Sequence, residues 1–237
     1  MTGVMNGREL AVARGWADTR LTLRAWHRAP LPVLRGWIAL SLAVALALLI
    51  AVWAIGSLLD PEYSPYVLPG VHRDATFGDA AAILGRNLLV LALHAMACLA
   101  GFIAKSSLPL EAQDYSGWIR WVHDRAGQAA IAFVGAATLF SLATQAYALG
   151  GRLSTLAWQF DTSPAGILLT VAPHAILELT ALFLPLAAWL LAARREAWNE
   201  LMAATFVTTA VALPALVVAA VVEVTVSPAL IRALHFV

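Results

Sequence analysis

Five separate runs of the chain stay mostly apolar for about 20 residues or more, the length an α-helix needs to cross the hydrocarbon of a bilayer. The first runs from about Gly36 to Leu59 with no charge inside it. The second, from about Ala80 to Ala104, contains Arg86, Asn87 and His94, and the third, from about Gln128 to Gly150, has only Gln145 as a strongly polar member. The fourth spans about Ala165 to Ala193 and holds His174 and Glu178; the fifth spans about Leu201 to Val226 and holds Glu223. The fold class this predicts is all-α, a polytopic membrane helix bundle of about five transmembrane helices plus an N-terminal interfacial amphipathic helix. Residues 1–35 form the basic N-terminal segment and 36–237 the membrane domain.

Composition agrees. The chain is 61% apolar and 12% charged, against about 45–50% and about 25% in an ordinary soluble domain. A soluble globule of this size could not hide that much apolar surface. A soluble enzyme, a disordered chain and a secreted disulfide scaffold are excluded, and the single Cys98 has no internal partner for a bridge. A net charge of +1 supplies no basic field, so no nucleic-acid partner is indicated.

Charge placement gives an orientation. Arg8, Arg14, Arg20, Arg24, Arg28 and Arg35 precede the first run; Lys105, Arg120 and Arg125 separate the second and third; Arg194 and Arg195 follow the fourth. The alternate loops carry mainly acids: Asp60, Glu62, Asp74, Asp79 and Asp161. Basic residues mark cytoplasmic loops, which puts the N-terminus inside and, after five crossings, the C-terminus outside. The N-terminal segment, residues 1–35, does not have the make-up of a cleaved signal, because the apolar run that follows it is about 24 residues, longer than a signal's roughly 7–15. It has the make-up of an interfacial helix, with Arg20, Arg24 and Arg28 on one face and Trp16 and Trp26 suited to headgroup depth. The loop from Asp60 to Gly70, dense in proline and tyrosine, predicts ordered turn. The stretch from Lys105 to Arg125, with Trp118 and Trp121, has the make-up of a short helix on the inner surface.

Ionisable groups inside a span cost about 2.5–3.5 kcal/mol each on insertion scales, so each calls for a reason. His174 and Glu178 are spaced i, i+4 and share a face. Pro173 and Pro185 flank them in the same span, and Pro214 lies in the fifth; each removes a donor from the helix ladder. At about 1.5 Å rise per residue, Arg86, Asn87, His174 and Glu223 fall in the outer half of the membrane and Glu178 near its middle. The predicted site is therefore a polar cluster open to the outside: His174, Glu178, Glu223, Arg86 and Asn87, with an acid paired to Arg86. A purely structural role, bonding the bundle together, is the competing account of the same residues. No H-E-x-x-H, G-x-S-x-G or glycine-rich phosphate loop occurs, and Cys98 has no evident base, so no catalytic residue, metal ligand or cofactor is assigned.

The stretch Pro173-His174-Ala175-Ile176-Leu177-Glu178-Leu179 resembles the proline–histidine–glycine–x–x–glutamate signature of the stage II sporulation protein M family of bacterial membrane proteins. The close of the fifth run, Val222-Glu223 to Pro228, is similar to that family's final glutamate followed by proline, and Phe77 to Gly101 with Asn87 to its phenylalanine…asparagine segment. Ala175 departs from the pattern, standing where glycine is usual. The resemblance covers roughly residues 75–230. It implies a multi-pass protein of the bacterial plasma membrane that works in a complex with other membrane or cell-envelope proteins. The founding member acts with cell-wall-degrading partners during engulfment; others accompany circular bacteriocin production.

Three functions follow as expectations. The first is a non-enzymatic subunit of a cell-envelope complex. The second is a small transporter or export component for a lipid-like or peptide substrate, favoured by prolines around buried carboxylates. The third, an intramembrane metal hydrolase, would rest on His174, Glu178 and Glu223 alone. The bilayer is a partner in every case, and a homodimer is the oligomer that symmetry favours.

Overall fold

Prolines and capping residues set where the helices begin and end. A computed structural model describes the backbone of residues 7–103 and 116–234, and the side chains of these save 7–15, 119–124, 126–128 and 130. Helix α1 covers Gly7–Arg28, α2 Pro30–Gly56, α3 Phe77–Phe102, α4 Gly117–Gln159, α5 Pro164–Arg195 and α6 Leu201–Leu234; a 3-10 turn, Trp198–Glu200, precedes α6. No strand occurs among the described residues, only an isolated bridge between Pro69 and Arg73. The protein is an all-α helix bundle.

Pro30 and Pro164 each stand first in their helix, where the missing N–H had no partner to lose. Ser163 caps α5, its Oγ accepting the Gly166 N–H at 3.1 Å. Thr76 and Asp79 form a reciprocal box at the start of α3. Thr76 Oγ1 accepts the Asp79 N–H at 3.3 Å, and Asp79 Oδ2 accepts the Thr76 N–H at 2.8 Å. Two helices end with a non-glycine residue in the left-handed region: Asp161 (φ 46°) after α4 and Glu196 (φ 55°) after α5. In both, the next N–H reaches back to close the turn, Thr162 to the Ala157 carbonyl at 2.9 Å and Ala197 to that of Ala192 at 3.0 Å.

Five helical segments are long and apolar enough to cross a membrane: Pro30–Gly56, Phe77–Phe102, Ile131–Gln159, Pro164–Arg195 and Trp198–Leu234. The chain is a multi-pass membrane protein by the length and composition of its helices. Helix α1 precedes these as a separate element, with Arg20, Arg24 and Arg28 all exposed and the Arg20 guanidinium 5.7 Å from the Trp16 ring centre.

Three boundaries differ from the sequence expectation. The third run was expected to stop at Gly150, yet α4 continues to Gln159. The reason is packing: a Cβ on Gly150 would meet Ile55 Cγ2 at 2.6 Å, and one on Gly56 would meet the Gly150 carbonyl oxygen at 2.9 Å. The glycine pair lets α2 and α4 touch backbone to backbone and is no stop signal. Of the expected short surface helix from Lys105 to Arg125, residues 105–115 lie outside the described residues, and the part from Gly117 onward is continuous with α4. Lys105 and the side chains of Arg120 and Trp121 lie outside the described residues. The fifth run was expected to end near Val226, but α6 carries Pro228 inside it and reaches Leu234. Pro228 is buried, and a Cβ on Gly70 (φ 77°) would meet its Cγ at 2.7 Å. Tertiary contact outweighs the single ladder bond the proline removes.

The contacts fall into two units. One comprises residues 1–39, 92–137 and 184–210; the other residues 40–91, 138–183 and 211–237. The first has a core of Phe102, Ala192 and Leu201, with Trp189, Trp198 and Met202 packed on it. Cys98 is buried here and donates its thiol to the Pro185 carbonyl at 3.0 Å. In the second unit Ala45, Ala146, Ala212 and Ala219 are buried, the small residues that let membrane helices approach.

Candidate functional site

The site lies wholly within the second unit. His174 and Glu178 sit one turn apart on α5, and Glu223 and Ser227 sit one turn apart on α6. His174 Nδ1 and Ser227 Oγ are hydrogen-bonded at 2.7 Å. One turn along, Glu178 and Glu223 lie in each other's electrostatic field. The residue numbers rise on one helix as they fall on the other, which is the register of antiparallel neighbours joined by a short turn. The result is a two-rung polar ladder between α5 and α6. Its His and Glu members are half-buried and Ser227 is buried.

Helix α3 supplies the third side. Asn87, only 8% exposed, places its amide beside the Glu178 carboxylate. Asn87 Nδ2 is nevertheless buried without a hydrogen-bond partner. Arg86 is exposed, and its charge acts on both Glu178 and Glu223. It makes no ion-pair contact with either: the ion pair among the described residues joins Arg73 and Asp79. All five residues singled out from the sequence are thus placed together, with Arg86 at the rim.

An ordered loop adjoins the ladder. Its backbone is clamped to the end of α4: Gln159 bonds both backbone groups of Tyr66 (2.8 and 2.9 Å), Thr155 Oγ1 accepts the Glu62 N–H (3.0 Å), and Ser154 Oγ donates to the Leu59 carbonyl (2.7 Å). His72 stacks on Phe160 and accepts the Leu68 N–H at Nδ1. Gly70 backs onto Pro228, the neighbour of Ser227, and its carbonyl accepts a hydrogen bond from Arg232. Outside the spans, the hydrogen bond to Asp79 holds the Arg73 guanidinium above its ordinary pKa. The proline- and tyrosine-rich segment is non-helical, as its composition predicts, but instead of turn it runs mostly as irregular chain with a bend at Tyr63 and Ser64, and a turn begins only at Gly70.

Two members escaped the sequence. Ser227 is an unremarkable residue in an apolar helix, although its i, i+4 spacing from Glu223 mirrors that of His174 and Glu178. The Gly70–Pro228 contact joins residues far apart in the chain and leaves no local signal. Chemically, two half-buried carboxyl groups with one guanidinium beside them offer several hydrogen-bond acceptors, which suits a hydrogen-bond-donating group. Among the described residues no three His, Cys, Asp or Glu side chains converge closely enough to hold a metal ion. The chain matches no protein-family model, no curated protein and no solved structure.

Proposed function

We propose that this chain is a non-enzymatic integral-membrane subunit of a bacterial cell-envelope complex, resembling the stage II sporulation protein M family. In this reading it lies in the plasma membrane with its N-terminus in the cytoplasm and its C-terminus outside, and the polar ladder faces outward. One observation carries the reading. The residues that bear the resemblance, His174 and Glu178 on one side and Glu223 on the other, oppose one another across α5 and α6, with Asn87 beside them. Residues dispersed along the chain that meet at one place are the pattern expected of a shared task.

The test is mass spectrometry of proteins that co-purify with the tagged chain in mild detergent from its own host, run in parallel on Glu178→Gln. The expected result is a stoichiometric envelope protein that is lost from the variant while the variant's abundance and melting stay normal. A partner retained unchanged by Glu178→Gln, or a chain that purifies alone, overturns the reading.

A second reading has its own support. Pro173 and Pro185 in α5 and Pro214 and Pro228 in α6 interrupt the ladders of both helices that carry the carboxylates. Interrupted helices around buried charge are where transporters place their substrates. Recovery of a peptide or lipid-like molecule, with no protein partner, would favour a small transporter or export component.

A further inference from the structure

The first unit holds a cavity of about 120 Å³ that the envelope-complex reading does not use. Its walls come from α1, α2, α5, α6 and the 3-10 turn, and include Trp26, Gly36, Trp37, Leu191, Arg195 and Glu200. Trp26 and Trp37 meet edge to face, ring centres 5.2 Å apart at 79°. Helix α1 packs against the turn that carries Glu200. Arg195 ends α5, where the left-handed Glu196 and the Ala197-to-Ala192 bond fix the direction of the chain.

Arg195 and Glu200 both line the cavity, yet they form no ion pair with each other, and neither side chain has a hydrogen-bond partner among the described residues. Opposite charges left apart on the wall of one cavity suit a ligand that carries both. The location narrows the class. Arg195 ends one membrane-length segment and Gly36 lies near the start of another, the depth at which tryptophans and lipid headgroups meet. A guanidinium matches a phosphate. A carboxylate matches an ammonium that still has N–H to donate, and a tryptophan wall favours the same cation.

We propose that this cavity binds the headgroup of a zwitterionic phospholipid with a primary ammonium, phosphatidylethanolamine, with Arg195 holding the phosphate and Glu200 the ammonium. The site is independent of the polar ladder and of the function proposed for it. Phosphatidylcholine offers no N–H to Glu200, and phosphatidylglycerol offers no cation at all.

Native mass spectrometry of the full chain tests this, with phosphatidylethanolamine, phosphatidylcholine and phosphatidylglycerol of matched acyl chains supplied in equal amounts. The expected result is retention of phosphatidylethanolamine over each of the others by about tenfold, the size of one charge-assisted hydrogen bond. Glu200→Gln should erase that preference, and Arg195→Gln should weaken retention of all three. Gly36→Leu should close the cavity; a Cβ there meets only Leu191 Cδ1, at 3.5 Å, so the backbone has room for it. Equal retention of the three lipids by the unaltered chain, no retention, or an unchanged preference in a Glu200→Gln protein of normal melting overturns the proposal.

Discussion

Helices α5 and α6 contribute to both units, and they do so by different chemistry. In the second unit they meet through His174, Ser227, Glu178 and Glu223. In the first, Ala192 and Leu201 pack with Phe102 under Trp189, Trp198 and Met202. Lipid tails are as apolar as leucine, so membrane helices associate by close packing, and interhelical bonds return only about 0.6–2 kcal/mol each. Placing a charged residue in a span costs about 2.5–3.5 kcal/mol. The polar contact is thus a poor way to hold two helices together, and the apolar contact shows that the same helices can do without it. A costly arrangement where a cheap one is available argues for a role beyond cohesion.

If packing is what holds the bundle, the largest loss of stability should come from a residue with no polar group. Gly150→Ala drives a methyl into Ile55, whose Cβ lies 2.9 Å from the new atom, with the Gly56 nitrogen at 3.1 Å. Overpacking of this kind costs about 1–3 kcal/mol. Unfolding in detergent should show Gly150→Ala less stable than either His174→Ala or Ser227→Ala. A larger loss from His174→Ala would reverse the comparison and make the ladder the main brace.

The second prediction measures the ladder itself. A double-mutant cycle on His174→Ala and Ser227→Ala should return a coupling of about 0.6–2 kcal/mol, the range of interhelical hydrogen bonds. No coupling would mean the 2.7 Å contact contributes nothing. A coupling well above the range would mean that the two rungs act as one network, in which loss of the first disturbs Glu178 and Glu223.

These two tests fall on residues of unequal legibility. His174, Glu178 and Glu223 stand out in the sequence because charge in an apolar run is expensive. Ser227 does not, since a serine in a membrane helix can satisfy itself on its own backbone as Thr225 does, bonding the Val221 carbonyl at 2.7 Å. The third run was expected to end at about Gly150, and only the facing Gly56 explains why the helix continues past it. Arg195 and Glu200 look like ordinary loop charges. Nothing local reveals that the turn between α5 and α6 brings them to the wall of one cavity. Number of spans, fold class and the charged members of the ladder were therefore readable; contacts between distant segments were not.

The smallest expected effect compares two buried donors, one in each unit. Asn87 Nδ2 and Trp189 Nε1 both lack a partner. A Cβ on Gly101 would lie 2.6 Å from Trp189 Nε1, so the indole edge is pressed against a helix backbone with no room for a ligand. Removing an unsatisfied donor while keeping the shape is close to neutral, so Trp189→Phe should change stability by about 1 kcal/mol or less and leave co-purification untouched. Asn87→Leu should be similarly mild in unfolding experiments, since its Nδ2 also makes no bond. Its amide, however, faces the Glu178 carboxylate inside the ladder. If the ladder serves a partner or substrate, Asn87→Leu loses whatever the unaltered chain retains, at unchanged melting, while Trp189→Phe does not. Identical behaviour of the two variants would place Asn87 among the packing residues and remove the third side from the site.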